Sequence, residues 1–289
     1  TISVEGCELV GKGGHGTVYR LDADTIIKVY DKTEPLGEIE REIEYARNAF
    51  VSGIPTAIAY DVVRCGESYG TVFELINSDT LANVLDSQPE KYEEYSAKYV
   101  ELVHTLHTTE ADTSRLSNIK DLYNMWADDM LEYLNKEEVG LIHEIINSVE
   151  ERKTFVHGDI HPKNIMVQNG ELLFIDMADI TYGHPVFDYG GTGITHILSS
   201  ENNTKKLIGV EKKVAVNLWN DLLKAEFAGK SEEEFQRISD VLIGFSWLKY
   251  AMSPAANKAM DPKFKQMLVN AAREKFLPQA KNLIGAVCF

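Results

Sequence analysis

His157-Gly158-Asp159-Ile160-His161-Pro162-Lys163-Asn164, followed twelve residues after Asn164 by Asp176 at the end of the apolar run Leu172-Leu173-Phe174-Ile175, is the stretch on which the reading of the whole chain turns. Transfer of a phosphoryl group needs a carboxylate that orients the attacking hydroxyl and takes its proton. It also needs oxygen ligands for magnesium, to neutralise charge on the phosphates. Asp159 suits the first task, and Asn164 with Asp176 suits the second. Between them, Ile165–Gln168 and Leu172–Ile175 flank Asn169-Gly170, a two-residue turn in which both positions accept positive φ, so the segment reads as a β-hairpin.

Toward the amino terminus, Gly11-Lys12-Gly13-Gly14-His15-Gly16-Thr17-Val18 is a G-x-G-x-x-G-x-V string. Glycines at Gly11, Gly13, Gly14 and Gly16 let backbone amides approach phosphate oxygens without obstruction. A dinucleotide-binding loop opens a helix, whereas the β-prone Thr17-Val18-Tyr19-Arg20-Leu21 follows here, so the loop joins two strands. Lys28, within the apolar run Ile26–Tyr30, is placed to extend over nucleotide phosphates. Its expected partner is a glutamate on the next helix. At ~100° per residue, Ile39, Ile43, Ala46 and Phe50 define the buried face and Glu42 falls at its edge, with Glu38 the second choice. A carboxylate there needs a cationic partner.

Short β-prone runs (Cys7–Val10, Thr17–Leu21, Thr25–Tyr30, Ile58–Val63, Tyr69–Leu75) with one helix over about Pro35–Ser52 predict a small sheet. After Leu75 the pattern becomes helical over Tyr92–Thr108, Ile119–Asn135, Glu137–Glu151, Glu211–Ala228, Glu232–Met252 and Pro262–Leu283. Two units follow, an amino-terminal nucleotide-binding lobe at 1–76 and a helical catalytic and acceptor-binding lobe at 77–289, hinged near Asn77.

With 45 acidic and 29 basic residues and a net charge of -16, the chain repels nucleic-acid phosphates, which excludes nucleic acid as a partner. The same balance favours a cationic or neutral small molecule. Cys7, Cys65 and Cys288 are odd in number and scattered, which fits a reducing cytoplasm. No apolar run nears the ~20 residues that span a bilayer.

HGDIHPKN with FIDMADITYGHPVFDYG resembles the aminoglycoside phosphotransferase and choline kinase superfamily, the small-molecule relatives of protein kinases. GKGGHGTVYR, IIKVY, REIEYA before GIP, VFELI and VELVHTLHT extend the resemblance over nearly the whole chain. It implies an α+β, bilobal protein-kinase-like fold, with a small antiparallel-sheet lobe carrying one helix and a large, mainly helical lobe. It also implies ATP and Mg2+, adenine against the backbone near Glu74 and Ile76, and His157 as the residue that orients the catalytic loop. Asp176 precedes Met177-Ala178 and the chain reaches Gly183-His184-Pro185 within ten residues, which leaves little room for a peptide platform and favours a small-molecule hydroxyl as acceptor. Trp219, Trp247, Tyr250, Asp128, Asp129 and Glu132 are candidates for holding a cationic acceptor. Two rival readings stand beside this one: a metal-dependent hydrolase built on His157, Asp159, His161, Asp176, His184 and Asp188, and a non-catalytic nucleotide-binding module. Against the hydrolase, the extra residues have plain structural roles, with His161 shaping the loop before Pro162 and Asp188 capping the helix after Pro185.

Overall fold

Short runs of β-branched and aromatic residues between tight turns favour antiparallel pairing of neighbours in sequence. In the computed structural model, which describes residues 1–12, 16–76 and 78–289, five such runs form one antiparallel sheet. They are β1 (Glu8–Lys12), β2 (Gly16–Arg20), β3 (Thr25–Tyr30), β4 (Ala59–Cys65) and β5 (Ser68–Glu74), in the order β1-β2-β3-β5-β4. Register sets Val18 opposite Lys28, and Lys28 opposite Thr71. Gly13 and Gly14 of the expected phosphate loop, and Asn77 of the expected hinge, lie outside the described residues. One helix, α1 (Leu36–Val51), enters after Pro35 and stops before Gly53, whose φ of 92° suits glycine alone. It lies against β4, β5 and the turn Met177–Asp179.

The remainder is mostly helical: α2 (Leu81–Ser87), α3 (Tyr92–Thr108), α4 (Ile119–Asp129), α5 (Lys136–Ser148), α6 (Val186–Gly193), α7 (Glu201–Ile208), α8 (Lys212–Glu226), α9 (Glu232–Ala256) and α10 (Pro262–Ala271). Two small antiparallel pairs interrupt it, β6 (Thr154–Val156) with β9 (Thr181–Gly183) and β7 (Ile165–Gln168) with β8 (Glu171–Phe174). The β7–β8 turn is the one its residues demand, with φ of 53° at Asn169 and 82° at Gly170.

Three expectations need adjustment. The helix read over Ile119–Asn135 ends at Asp129, because Asn135 caps the next helix instead: its Oδ1 accepts the Glu138 N–H at 2.9 Å while Glu138 returns the contact at 2.8 Å. The run read over Pro262–Leu283 is α-helical only to Ala271 and then loosens and tightens through Leu283, where Pro278 offers no N–H to continue the ladder. Helices α2 and α7 were not anticipated; seven or eight residues are too few for apolar periodicity to register.

Helix α6 lies so close on α9 that a Cβ at Gly190 would stand 3.0 Å from the Phe245 carbonyl oxygen, and one at Gly193 would stand 2.1 Å from Ser246 Oγ. Phe187 on the same helix packs edge-on against Tyr123 and Phe245, at 4.7 and 5.9 Å between centroids. At the other seam, Thr56 donates its hydroxyl to the Phe174 carbonyl at 3.0 Å, and the Phe174 N–H donates to the Pro55 carbonyl at 2.8 Å. The loop after α1 is thereby laced to the strand that leads to Asp176.

The interior also holds histidines that cannot charge without cost. Burial, with positive neighbours adding to it, lowers His184 and His196 to about 3. Each stays neutral inside while the unfolded chain binds a proton below its ordinary pKa of about 6.5. The unfolded state therefore holds more protons between about pH 6.5 and pH 3, and stability falls as pH drops through that window. From pH 7 to pH 5 the loss should approach about 2 kcal/mol per histidine. Urea midpoints measured at the two pH values read it directly, and an unchanged midpoint contradicts it.

Candidate active site

The loop bearing Asp159 is shaped from beneath. Asp188, in the first turn of α6, is 1% exposed, and its oxygens are spent on that loop. Oδ1 accepts the Gly158 N–H at 2.7 Å and Oδ2 accepts the His157 N–H at 2.8 Å. His107 of α3 brings Nε2 within 3.0 Å of Oδ2. Burial would raise the Asp188 carboxyl, but these donors and the neighbouring imidazoles reverse that and hold it below the usual carboxylate range. Asp188 is thus not the helix cap that its position after Pro185 suggested. From α9, Lys249 Nζ donates to the Gly158 carbonyl at 2.6 Å. His157 is fully buried, stacks on Phe174 at 4.8 Å and accepts the Asp159 N–H on Nδ1 at 3.3 Å. It faces the interior and braces the loop.

On β3, alternation puts Lys28 and Tyr30 on one side, facing α1. Lys28 Nζ donates to Glu42 Oε1 at 2.7 Å, and the Tyr30 hydroxyl donates to Glu42 Oε2 at 2.9 Å while meeting Thr71 Oγ1 at 3.1 Å. Glu42 is buried, whereas Glu38 is half-exposed and pairs with Arg41, so helical phase selected the right glutamate. Lys28 Nζ also lies 3.3 Å from Asp176 Oδ1. Burial opposes the lysine charge, but Asp176 and Glu42 more than offset it and raise its pKa. Residues 28, 42 and 176, far apart in the chain, therefore meet at one ammonium group.

Asn164 joins that cluster to Asp159. Its Nδ2 donates to both the Asp159 carbonyl and Asp159 Oδ2, each at 3.1 Å, and its own carbonyl accepts the Ile175 N–H at 2.9 Å. With both amide hydrogens engaged, Asn164 Oδ1 remains as a hard oxygen. Asp176 adds a carboxylate that is 52% exposed, on a backbone held at φ 60° and ψ 66°. That left-handed conformation is uncommon outside glycine, and aspartate is among the few residues that adopt it. Magnesium keeps several waters and takes one or two protein oxygens beside substrate phosphates, so this donor pair fits it. Burial would raise the Asp159 carboxyl, but the His161 imidazole beside it, with the Lys249 charge, brings it down to about 2, so it is ionised throughout the neutral range.

The set required for a transition-metal hydrolase is not gathered. His157, His184 and Asp188 are buried and point inward, and among the described residues no group of three or more His, Cys, Asp or Glu side chains converges as metal ligands would.

Residues 6–201 match the family model described as the phosphotransferase enzyme family, APH. The chain belongs to that family. No curated protein matches it in sequence. Among solved structures, the complex of gentamicin with APH(2'')-IIa aligns over 96% of this chain and 93% of that one, at 18% identity and a TM-score of 0.65. A choline/ethanolamine kinase family protein from Mesorhizobium loti aligns over 97% and 92%, at 16% identity and a TM-score of 0.63. ADP-bound aminoglycoside phosphotransferase APH(2'')-Ib aligns over 95% and 93%, at 16% identity and a TM-score of 0.63. At such identities the likeness establishes the fold, which is kinase-like.

Other expected positions of the phosphotransferase sort unevenly. A Cβ at Gly11 would meet nothing within 4 Å among the described residues. Gly16 has a different reason to be glycine: a Cβ there would stand 2.4 Å from the Val29 carbonyl oxygen, so strand packing demands it. Val18 lies on β2 beside Lys28, and Ile76 is buried just past Glu74, the last residue of β5. Of the suggested acceptor residues, Trp219 is buried in the core against Tyr189, Asp128 pairs with His143 at 3.0 Å, and Asp129 pairs with Lys258 at 3.1 Å. Each of these carboxylates already has a side-chain partner. Trp247 and Tyr250 stack edge-on at 5.3 Å on α9, the helix that carries Lys249.

Proposed function

We propose that this phosphotransferase moves the γ-phosphate of ATP to a hydroxyl of a small molecule, with Asp159 as the base and Asn164 with Asp176 as the magnesium ligands. The observation that carries the reading is Lys28 Nζ, which bridges Glu42 and Asp176 at 2.7 and 3.3 Å, because it gathers phosphate-binding and metal-binding chemistry at one point. In this reading residues 1–76 and 77–289 are the two lobes, Gly11, Gly13, Gly14, Gly16 and Val18 cover the nucleotide, and the backbone at Glu74 and Ile76 receives the adenine. Among the described residues the Ile76 N–H has no hydrogen-bond partner, which supports that last assignment. His157 acts by bracing the loop.

Asp159 takes the proton of the acceptor hydroxyl as that oxygen bonds to the γ-phosphorus. The bond from phosphorus to the β,γ-bridging oxygen breaks, and ADP leaves with the electron pair. Lys28, fixed by Glu42 and Tyr30, meets the phosphate charge, and magnesium, when bound, supplies neutralisation of the phosphate oxygens. The net charge of -16 supports an amine-bearing acceptor such as an amino sugar or a choline-like alcohol. The short path from Asp176 through β9 to α6 supports a small acceptor over a protein one. No helix among the described residues is long and apolar enough to cross a membrane, in keeping with a cytoplasmic place of action.

The test is acceptor-dependent ADP formation from magnesium-ATP across a panel of aminoglycosides, other amino sugars, choline analogues, ketosamines, sugars and homoserine. We expect turnover with at least one amine-bearing alcohol, lost on removing magnesium and untouched by a zinc-selective chelator. Nucleotide binding without transfer to any of them would favour the non-catalytic module.

A further inference from the structure

His161 sits two residues beyond Asp159 and immediately before Pro162. The proline ring excludes helical backbone at the residue before it, and His161 is extended, with φ -160° and ψ 162°. Along an extended chain, residues i and i+2 share a side. Ile160 therefore points into the core, 3% exposed, while the side chains of Asp159 and His161 meet. The imidazole is the buried member of the pair, 12% exposed against 54% for the carboxylate.

The contacts are uneven between the two carboxylate oxygens. Asp159 Oδ2 lies 3.3 Å from His161 Nε2 and 3.1 Å from Asn164 Nδ2. Among the described residues no donor reaches Oδ1. The His161 Nδ1 atom is buried and has no partner among the described residues. A buried N–H without an acceptor is the costlier orphan, so the ring carries its proton on Nε2, the nitrogen that lies 3.3 Å from Oδ2, and leaves Nδ1 bare.

We propose that His161 is a positioning residue for transfer: with Asn164 it pins Asp159 Oδ2, so that Oδ1 alone is presented to the acceptor hydroxyl. This rests on the reading of Asp159 as the base. A carboxylate free to rotate would offer either oxygen over a range of directions, and misplacement of a reacting atom by about 1 Å costs about 10²-fold in rate. Asn164 alone cannot fix the plane, because a single contact leaves rotation about it.

The experiment compares His161→Gln, whose Nε2 can reproduce the donor, with His161→Leu, which cannot. Turnover is measured with an acceptor from the panel above or, failing one, with water as acceptor in magnesium-ATP hydrolysis. We expect kcat to fall about 10- to 100-fold in His161→Leu with the KM for ATP unchanged, and to stay within about threefold in His161→Gln. Equal losses in both variants, in step with lowered thermal midpoints, would mean a merely structural residue and overturn the proposal. So would a His161→Leu enzyme as active as the parent. Asp159→Asn is run beside them: if it retains turnover, the reading of Asp159 fails; if it is inactive while His161→Leu is not, only the present inference fails. A second measurement needs no activity, and its readout is taken on the unsubstituted protein. Nitrogen-15 histidine spectra of the intact chain, with His161 assigned by its absence in His161→Gln, should show the proton on Nε2. A proton on Nδ1 overturns the assignment.

Discussion

Asp159→Asn should lower kcat by about 10³-fold, within the range removed with a general base, while nucleotide affinity changes by less than about threefold. The replacement is nearly isosteric, and its amide oxygen can take the place of Oδ2 before Asn164 and His161. Its NH₂ then occupies the position of Oδ1 and presents hydrogens where the acceptor hydroxyl needs a lone pair. Binding should survive because Asp159 touches neither Lys28 nor Glu42. Removing a negative charge near the phosphates will, if anything, tighten it. Initial rates and calorimetric titration with the non-hydrolysed nucleotide separate the two quantities. A variant within tenfold of the parent rate would remove Asp159 from its role.

The second large effect is on stability. Asp188→Leu puts a bulkier apolar group in place of the carboxylate and strands the His157 and Gly158 N–H groups and His107 Nε2, all directed at a carboxylate in the interior. Breaking a buried charge cluster by deleting one member costs about 3–5 kcal/mol, a large share of the 5–15 kcal/mol that holds a typical domain together. Urea denaturation should show that loss. Asp188→Asn should fall between, since it accepts at one oxygen and opposes a donor with its NH₂. A Leu variant within about 1 kcal/mol of the parent would show that the loop does not depend on this anchor.

How far the sequence could be read depended on whether partners lie near in the chain or carry a period. Glu42 was recoverable because helical rotation places it at the edge of an apolar stripe, fourteen residues from Lys28. The β7–β8 hairpin was recoverable because Asn169-Gly170 dictates its own turn. Tyr30 as a further holder of Glu42, with Thr71 against its hydroxyl, was not seen, although the alternation of β3 puts Tyr30 beside Lys28 and offered a signal. The supports of the catalytic loop had none. His107 lies 81 residues from Asp188, and Lys249 lies 91 residues from Gly158; each occupies an ordinary helical position whose neighbour is set by tertiary packing alone. Of the acidic residues on α4, Asp129 has its partner in Lys258, far along the chain, and Asp128 in His143, fifteen residues on but in the next helix, and neither pairing carries a sequence signal.

The seam between Pro55, Thr56 and Phe174 has a mechanical consequence. Two hydrogen bonds of 2.8 and 3.0 Å rivet the loop after α1 to the strand that leads to Asp176, so these two segments cannot part there without breaking them. Any opening of the proposed nucleotide site must therefore come from somewhere other than this crease.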